Sequence, residues 1–432
     1  MLGPHASQQS HESRSFPMRR GAFGLTTAIL SSVLVLSGLE ASPASASTTT
    51  YTMPATGKVT LSGHGYGHGH GMSQYGAQGA ATGNWGTRGK TPLTWQQIVA
   101  FYYPGTKQAT FAQTIRVKIS ADTSADVVIE ARSKLQVLDV ATGTFRSLPR
   151  NGATRWRLTP AAGGQTAVAY LIGTTWTTWL TLAGDAAFTA QGEPMRLFYD
   201  AGSRQYRGRL YSSRPSATST DRDTINQLSL EDYLRGVVPS EMPASWNVNA
   251  VSAQAVAART YAAYELQHPL AAYYDICDTS SCQVYGGYDA EWPNSNNAID
   301  ATKGVILSYG GKPAFTQFSA SSGGWTSAGD ASMPYLSSKS DPYDDVRYPD
   351  GTSANSHHSW TVAVNVADIE KKTGIGDIAK ATVLMNDNHH VSKITFIGTK
   401  GRTYTVYGDT FRSWFGLKST YFAITGRPTT TA

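Results

Sequence analysis

The alternation of apolar and polar residues divides the chain into unlike parts. Between residues 111 and 227, short runs alternate with a period of two: Ile115–Ile119, Ala125–Ile129, Leu135–Leu138 and Trp156–Leu158. Turn clusters such as Ala141-Thr142-Gly143 and Ala161-Ala162-Gly163-Gly164 separate them. This pattern predicts strands gathered into a sheet or small barrel. From Val248 to Leu266 the period becomes three to four, with Ala250, Val251, Ala255, Ala258 and Ala262 in register and Asn247 or Asn249 as the cap. One Ala-rich helix is predicted there, its small side chains letting neighbouring backbone approach closely. Just before it, Glu241 stands between Pro239 and Pro243. Proline fixes φ and biases the residue before it toward extended backbone, so a stiff, non-helical turn is expected to carry Glu241. The fold class is therefore α+β: mixed sheets with a central Ala-rich helix, plus a strand-rich part. No internal repeat is visible.

The N-terminus reads differently. Arg19-Arg20 precede an apolar run from Gly21 to about Leu39, and Ala44-Ser45-Ala46 follows. A basic segment, an apolar segment and an A-x-A site predict a secretory signal peptide over 1–46, with an uncleaved anchor as the competing reading. Residues 47–56 are polar and read as a linker. No other stretch is apolar and long enough to span a bilayer. The chain of 432 residues has 40% hydrophobic and 15% charged residues, which excludes a disordered chain. Its net charge is +6, and removing 1–46 leaves about +5. A basic exported protein suits an anionic matrix such as a cell wall. Lys and Arg do not cluster with aromatics, so nucleic acid is not an expected partner.

Candidate chemistry falls in several places. Glu241, a lone acid beside Met242 and Trp246, suits a proton donor of raised pKa, or alternatively complements the dipole of the following helix. In Gly63-His64-Gly65-Tyr66-Gly67-His68-Gly69-His70-Gly71 the glycines imply close approach to other backbone. The histidines there suit a packed, active-site-lining loop, and metal binding is the less favoured reading because no carboxylate or Cys is near. Cys277 and Cys282 suggest a disulfide closing a tight loop, with free thiols or metal as the other readings. Asp341-Pro342-Tyr343-Asp344-Asp345 reads as a turn near a cleft, or a calcium loop; His357-His358 and His389-His390 read as surface pairs. Ser322 lacks the G-x-S-x-G context of an acyl-transfer nucleophile. The Trp- and Thr-rich run 174–181 is either glycan-facing or ordinary strand.

Two segments carry a family resemblance. Leu230-Glu231-Asp232-Tyr233-Leu234-Arg235-Gly236-Val237-Val238-Pro239-Ser240-Glu241-Met242-Pro243, followed by A-Q-A-V-A-A-R-T-Y-A, resembles the core signature of the stage II sporulation protein D / amidase enhancer (SpoIID/LytB) family. The segment His64 to Ala77 resembles that family's G-H-G-x-G-M-S-Q-x-G-A motif. Cys282-Gln283-Val284-Tyr285 and Ser321-Ser322-Gly323-Gly324-Trp325-Thr326 resemble two further elements. The histidine motif usually closes the family domain, whereas here it opens the chain, which implies a circular permutation with Ile424 and Gly57 as spatial neighbours. The implied divisions are 57–107 (glycine/histidine segment packing on the core), 108–227 (strand-rich part), 228–425 (catalytic core) and 426–432 (tail).

The resemblance implies an exported lytic transglycosylase acting on peptidoglycan glycan strands. Glu241 is the implied catalytic residue. Arg259, Gln254, Gln283, Tyr285, Ser322, Gly323, Gly324, Thr326, His68, His70 and Gln74 are the implied substrate contacts, Arg259 having an ion pair as its alternative role. The chemistry needs no cofactor; zinc, which some relatives bind, lacks its histidines beside Cys277 and Cys282. The other branch of the family name implies a non-catalytic wall-binding partner of a cell-wall amidase.

Overall fold

The computed structural model describes residues 47–86, 89–386, 389–425 and 428–431. The expected signal peptide lies outside the described residues. Among the described residues there are seven helices: α1 (Gln74–Thr82), α2 (Trp95–Tyr102), α3 (Leu230–Glu241), α4 (Val248–Gln267), α5 (Pro293–Ala301), α6 (Val366–Thr373) and α7 (Gly408–Phe415). With strands gathered into several sheets, the chain is a mixed α+β protein, as the pattern predicts. None of its described helices is long and apolar enough to cross a membrane.

Helix α4 is the axle of the larger core. Asn247 caps it, and every residue from Ala250 to Ala263 is buried. A helix buried on all sides has no polar face, and its alanines let α1, α2, α3, α5 and the strand Val305–Tyr309 pack directly on it. The strand-rich part consists of two sheets sharing this core. In the seven-stranded sheet, Thr114–Lys118 pairs antiparallel with Asp223–Ser229 and parallel with Ile276–Cys277. In the six-stranded sheet, Val127–Glu130 and Arg155–Ala161 lie side by side.

A second core gathers both ends of the chain: Tyr51, Val59 and Leu61 pack with Trp360, Ile369, Ile394, Phe396, Phe411 and Ile424. Here the expected boundaries are corrected. The polar segment at 47–56 is no linker: Ser47–Thr52 is a strand between Ile378–Asn386 and Pro428–Thr431. The tail contributes that last strand. Threonine-rich sequence is polar by composition but fits a pleated, half-buried strand. The unit 228–425 likewise splits, because residues from Trp360 onward share their core with the N-terminal strands. Lys58–His64 pairs with Phe422–Thr425, and Ile424, expected beside Gly57, lies opposite Leu61.

The turn expected around Glu241 is also corrected. Pro239 lies inside α3, and Glu241 is its last helical residue. Proline removes one backbone donor, but in a final turn that costs a single helical bond. The Met242 N–H still reaches the Val238 carbonyl at 3.0 Å, and the Ser240 hydroxyl and Gly286 N–H both donate to the Gly236 carbonyl, at 2.8 and 3.0 Å.

Candidate functional site

Glu241 sits at the end of α3 with 3% of its surface exposed. Its Oε1 accepts the Val284 N–H at 2.8 Å. That donor is delivered by the cysteine loop. Cys277 and Cys282 form a disulfide with Cα atoms 5.6 Å apart, so their sulfurs are unavailable as metal ligands. The loop is pinned to the sheet by Asp278, which accepts the Ser120 N–H, and by the Tyr285 N–H, which donates to the Asp278 carbonyl at 3.1 Å. Closing so small a ring contributes about 2 kcal/mol through the unfolded state.

The glycine–histidine segment folds onto the chain just beyond Glu241. The Asn247 N–H donates to Gln78 Oε1 at 2.9 Å, and the rings of Tyr75 and Trp246 meet edge-on at 5.0 Å. Within the segment, glycines face inward and are buried, while His64, Tyr66, His68 and His70 are half-buried. Gly71 has φ +66, and a Cβ there would fall 2.1 Å from the Gln317 carbonyl oxygen. No other residue type fits such an approach.

Sequence separation hid the partners of these histidines. A run of rings passes from Trp246 to Tyr75, then His357 at 5.8 Å and Tyr66 at 4.8 Å. Another joins His64 to Tyr421 at 4.9 Å, Tyr421 to His389 at 5.4 Å, and His389 to Trp325, stacked at 4.1 Å. His68 and His70 stack on each other at 5.0 Å. The pairs His357-His358 and His389-His390, expected to be isolated surface residues, thus belong to one ring-lined surface with the histidine loop. Burial lowers His64 and His357, Lys418 adding to the effect at His357, which favours neutral rings able both to donate and to accept. Among the described residues no three His, Cys, Asp or Glu side chains are grouped to hold a metal.

Asp341 and Asp344 hold this surface together from beneath, both fully buried. Asp344 accepts from the hydroxyls of Ser73 and Ser321, the N–H groups of Ser322 and Gly323, Asn355 Nδ2 and His358 Nδ1. Asp341 accepts the Tyr102 and Ser322 hydroxyls. Burial, and then the neighbouring Asp344 charge, raises Asp341. The pair is a buried hub rather than a calcium loop. Its hydrogen bond to Asp344 raises His358.

Several expected substrate contacts are buried and hydrogen-bonded within the protein. Arg259 is fully buried and grips Glu231 through two bonds, of 2.9 and 2.8 Å, also donating to the Val305 and Ile299 carbonyls. Its guanidinium faces α3 and α5 instead of a ligand. Gln283 and Tyr285 are buried too, with Gln283 Nε2 donating to the Ala258 carbonyl and the Tyr285 hydroxyl to Asn226 Oδ1. The Ser322 hydroxyl is spent on Asp341, and that of Thr326 on the Ser337 carbonyl. Gln74 and Gln254 meet at 3.5 Å inside the α1–α4 contact. Gly323 and Gly324 keep positive φ, and Gly323 packs on the backbone of Gly65. Of the expected contacts, His68 and His70 remain half-exposed on the ring-lined surface.

One acid escaped the sequence reading. Glu265, on α4, is 4% exposed, and burial pushes its pKa up to about 7 although Tyr261 hydrogen-bonds to it. A raised carboxyl contributes stability that is full below its ordinary value and is lost as pH rises through the shifted one. Glu265→Gln should therefore become more stable than wild type, relatively, by about 3 kcal/mol on going from pH 4 to pH 8. Parallel denaturant titrations at both pH values check this; a constant difference between the two proteins would exclude it.

Residues 218–309, spanning α3, α4, the cysteine loop and α5, match the family model described as SpoIID, stage II sporulation protein. Over these residues the chain thus carries a SpoIID family domain. It is 43% identical over 116 residues to an amidase enhancer of Bacillus subtilis, covering 26% of this chain and 15% of that protein. It is 27% identical over 227 residues to the stage II sporulation protein D of Bacillus subtilis, covering 47% of this chain and 62% of the relative. An uncharacterized protein of Brachyspira hyodysenteriae is 34% identical over 184 residues, covering 40% and 50%. The chain thus spans less than two thirds of the length of each of these relatives.

Proposed function

We propose that the protein is an exported peptidoglycan lytic transglycosylase with Glu241 as its single acid and base. The observation that carries this reading is the packing of the histidine segment, through Tyr75 and Gln78, on the loop that directly follows Glu241. It brings the segment that carries a row of half-buried rings, the kind of surface on which sugar faces stack, against the chain that follows the buried Glu241. Glu241 protonates the glycosidic oxygen between N-acetylmuramic acid and N-acetylglucosamine as the C1–O bond breaks. The resulting carboxylate takes the proton of the same muramic residue's C6 hydroxyl, whose oxygen bonds to C1 and closes a 1,6-anhydro ring. A second flanking acid, which hydrolysis by paired carboxylates requires, is not needed. Neutral His64 and His357 suit contacts with sugar hydroxyls. The motif order, with Thr60 paired to Thr425, supports reading the chain as a circularly permuted family member.

The test is product analysis by mass spectrometry after incubation with peptide-free glycan strands. Fragments ending in anhydro sugars, lighter by one water than reducing ends, are expected. Ordinary reducing ends would make the enzyme a hydrolase. Binding without cleavage would favour the second reading, an enhancer of a wall amidase, which the similarity to the Bacillus subtilis amidase enhancer motivates.

A further inference from the structure

The strand-rich part holds an open cavity of about 430 Å³ remote in sequence from Glu241, lined by residues 131–135 and 147–153 with Trp156 and Gln191. Arg132, Lys134 and Arg150 line it, and no carboxylate does. Trp156, 2% exposed, forms part of its wall. Glu193 stands at the rim, 3.5 Å from Arg132 and 3.4 Å from Lys134, holding both cations in position while leaving the cavity with an excess of two positive charges. Arg132 is further fixed by donating to the Pro194 carbonyl.

Two independent observations mark the place. Among the described residues only Lys134 and Gln191 combine a side chain with positive φ, at 65° and 53°, and both line this cavity. Strained backbone of this kind persists where surrounding structure imposes it, and it concentrates at ligand sites. The charge of the chain is also uneven. Residues 108–227 hold 14 Lys and Arg against 9 Asp and Glu, whereas the rest of the chain from residue 47 holds 19 of each. The whole positive excess therefore lies in the part that carries the cavity, where it raises the local concentration of anions.

We propose that this cavity is a second binding site, for a phosphate group borne on a polyol or sugar, separate from the glycan-cleaving surface. Two guanidinium forks and an ammonium match the oxygens of a phosphate better than those of a neutral sugar, which would leave the excess of two positive charges unanswered. The volume admits the phosphate with its attached polyol unit. In a wall, the same chemistry arises as a polyol-phosphate polymer or as a free phosphate ester, and occupancy by the polymer would tether the enzyme along its matrix.

Isothermal titration calorimetry of the full chain tests this with three probes: a poly(glycerol phosphate) chain, glycerol phosphate and an uncharged glucan. Wild type should bind both phosphate probes and ignore the glucan. Arg132→Gln combined with Arg150→Gln should weaken phosphate binding at least tenfold. Glu193→Gln, which removes the rim acid, should tighten it several-fold, a gain that misfolding cannot produce. Much tighter binding of the polymer than of the monomer assigns the polymer as occupant, and equal binding assigns the free ester. Absence of binding to either phosphate probe, equal binding of the glucan, or an unchanged affinity in the double variant overturns the proposal. None of these readings depends on glycan cleavage.

Discussion

Glu241→Gln is expected to lower cleavage of peptide-free glycan strands by at least about 10³-fold, while glycan binding and folding stay near wild type. The magnitude follows from the role: positioned proton transfer contributes about 10² to 10⁴ in rate, and here one group serves both the donating and the accepting step. The amide is isosteric and keeps an oxygen for the Val284 N–H, whose 2.8 Å bond is the carboxyl's defining contact. It cannot supply an acidic proton or accept one at neutral pH. Retained thermal stability and retained affinity for glycan, measured beside the rate, separate chemistry from folding. A variant that cleaves at more than a tenth of the wild-type rate would remove Glu241 from the mechanism. If neither protein cleaves and both bind, the enhancer reading takes its place. Tyr285→Phe makes a useful contrast: its hydroxyl donates to buried Asn226, so the change should act on stability and leave the product type unaltered.

How far the residues themselves could reveal this arrangement depended on the range of the interaction concerned. Helix α4 was legible because its alanines repeat every three to four residues and Asn247 caps it, all local signals. The strands at 114–118, 127–130, 136–139 and 155–161 were legible through their period of two. Pro239 misled, because proline statistics describe helix interiors, whereas this one falls in a last turn, where the missing N–H forfeits a single helical bond. Ser47–Thr52 misled because its partners lie more than three hundred residues away, and a threonine run alone cannot say whether another strand will cover it. The same distance concealed the site's composition. Nothing local in His357-His358 or His389-His390 announces Tyr66 or Tyr421. Arg259 reads as either a substrate contact or half of an ion pair until α3 and α4 pack and bury it against Glu231. Asp341 and Asp344 resemble a hydrated acidic turn in sequence; only the converging hydroxyls and N–H groups of Ser73, Ser321, Ser322, Gly323 and Asn355 show that it is buried.

That convergence makes Asp344→Ala the most damaging single change expected in the fold, costing at least about 4 kcal/mol. Buried donors left without an acceptor cost about 1–3 kcal/mol each, and Asp344 serves six of them. Partial repair by the remaining Asp341 and by water keeps the total below the sum. The loss falls on the site as well, because Ser73 also caps α1 by accepting the Gly76 N–H, and the His358 carbonyl lies against His64 Nδ1. Removing one carboxylate therefore loosens both the histidine loop and the Ser321–Gly323 turn facing it. pH supplies an independent readout. His358 is raised by its bond to Asp344, so this contribution is full below the ordinary histidine value of 6.5 and fades as pH climbs through the shifted value. Asp341 is raised too, and its contribution likewise fades with rising pH, from above its ordinary 3.8. Wild type should thus lose stability through His358 as pH rises above 6.5, and Asp344→Ala, having lost the partner, should show a flatter dependence there. Denaturant unfolding of both proteins at pH 5.5 and 8 measures the two effects together. A cost below about 1 kcal/mol, or the same pH slope in both, would mean that Asp344 does not tie the loops together and that their geometry is held by the glycine contacts at Gly65 and Gly71 instead.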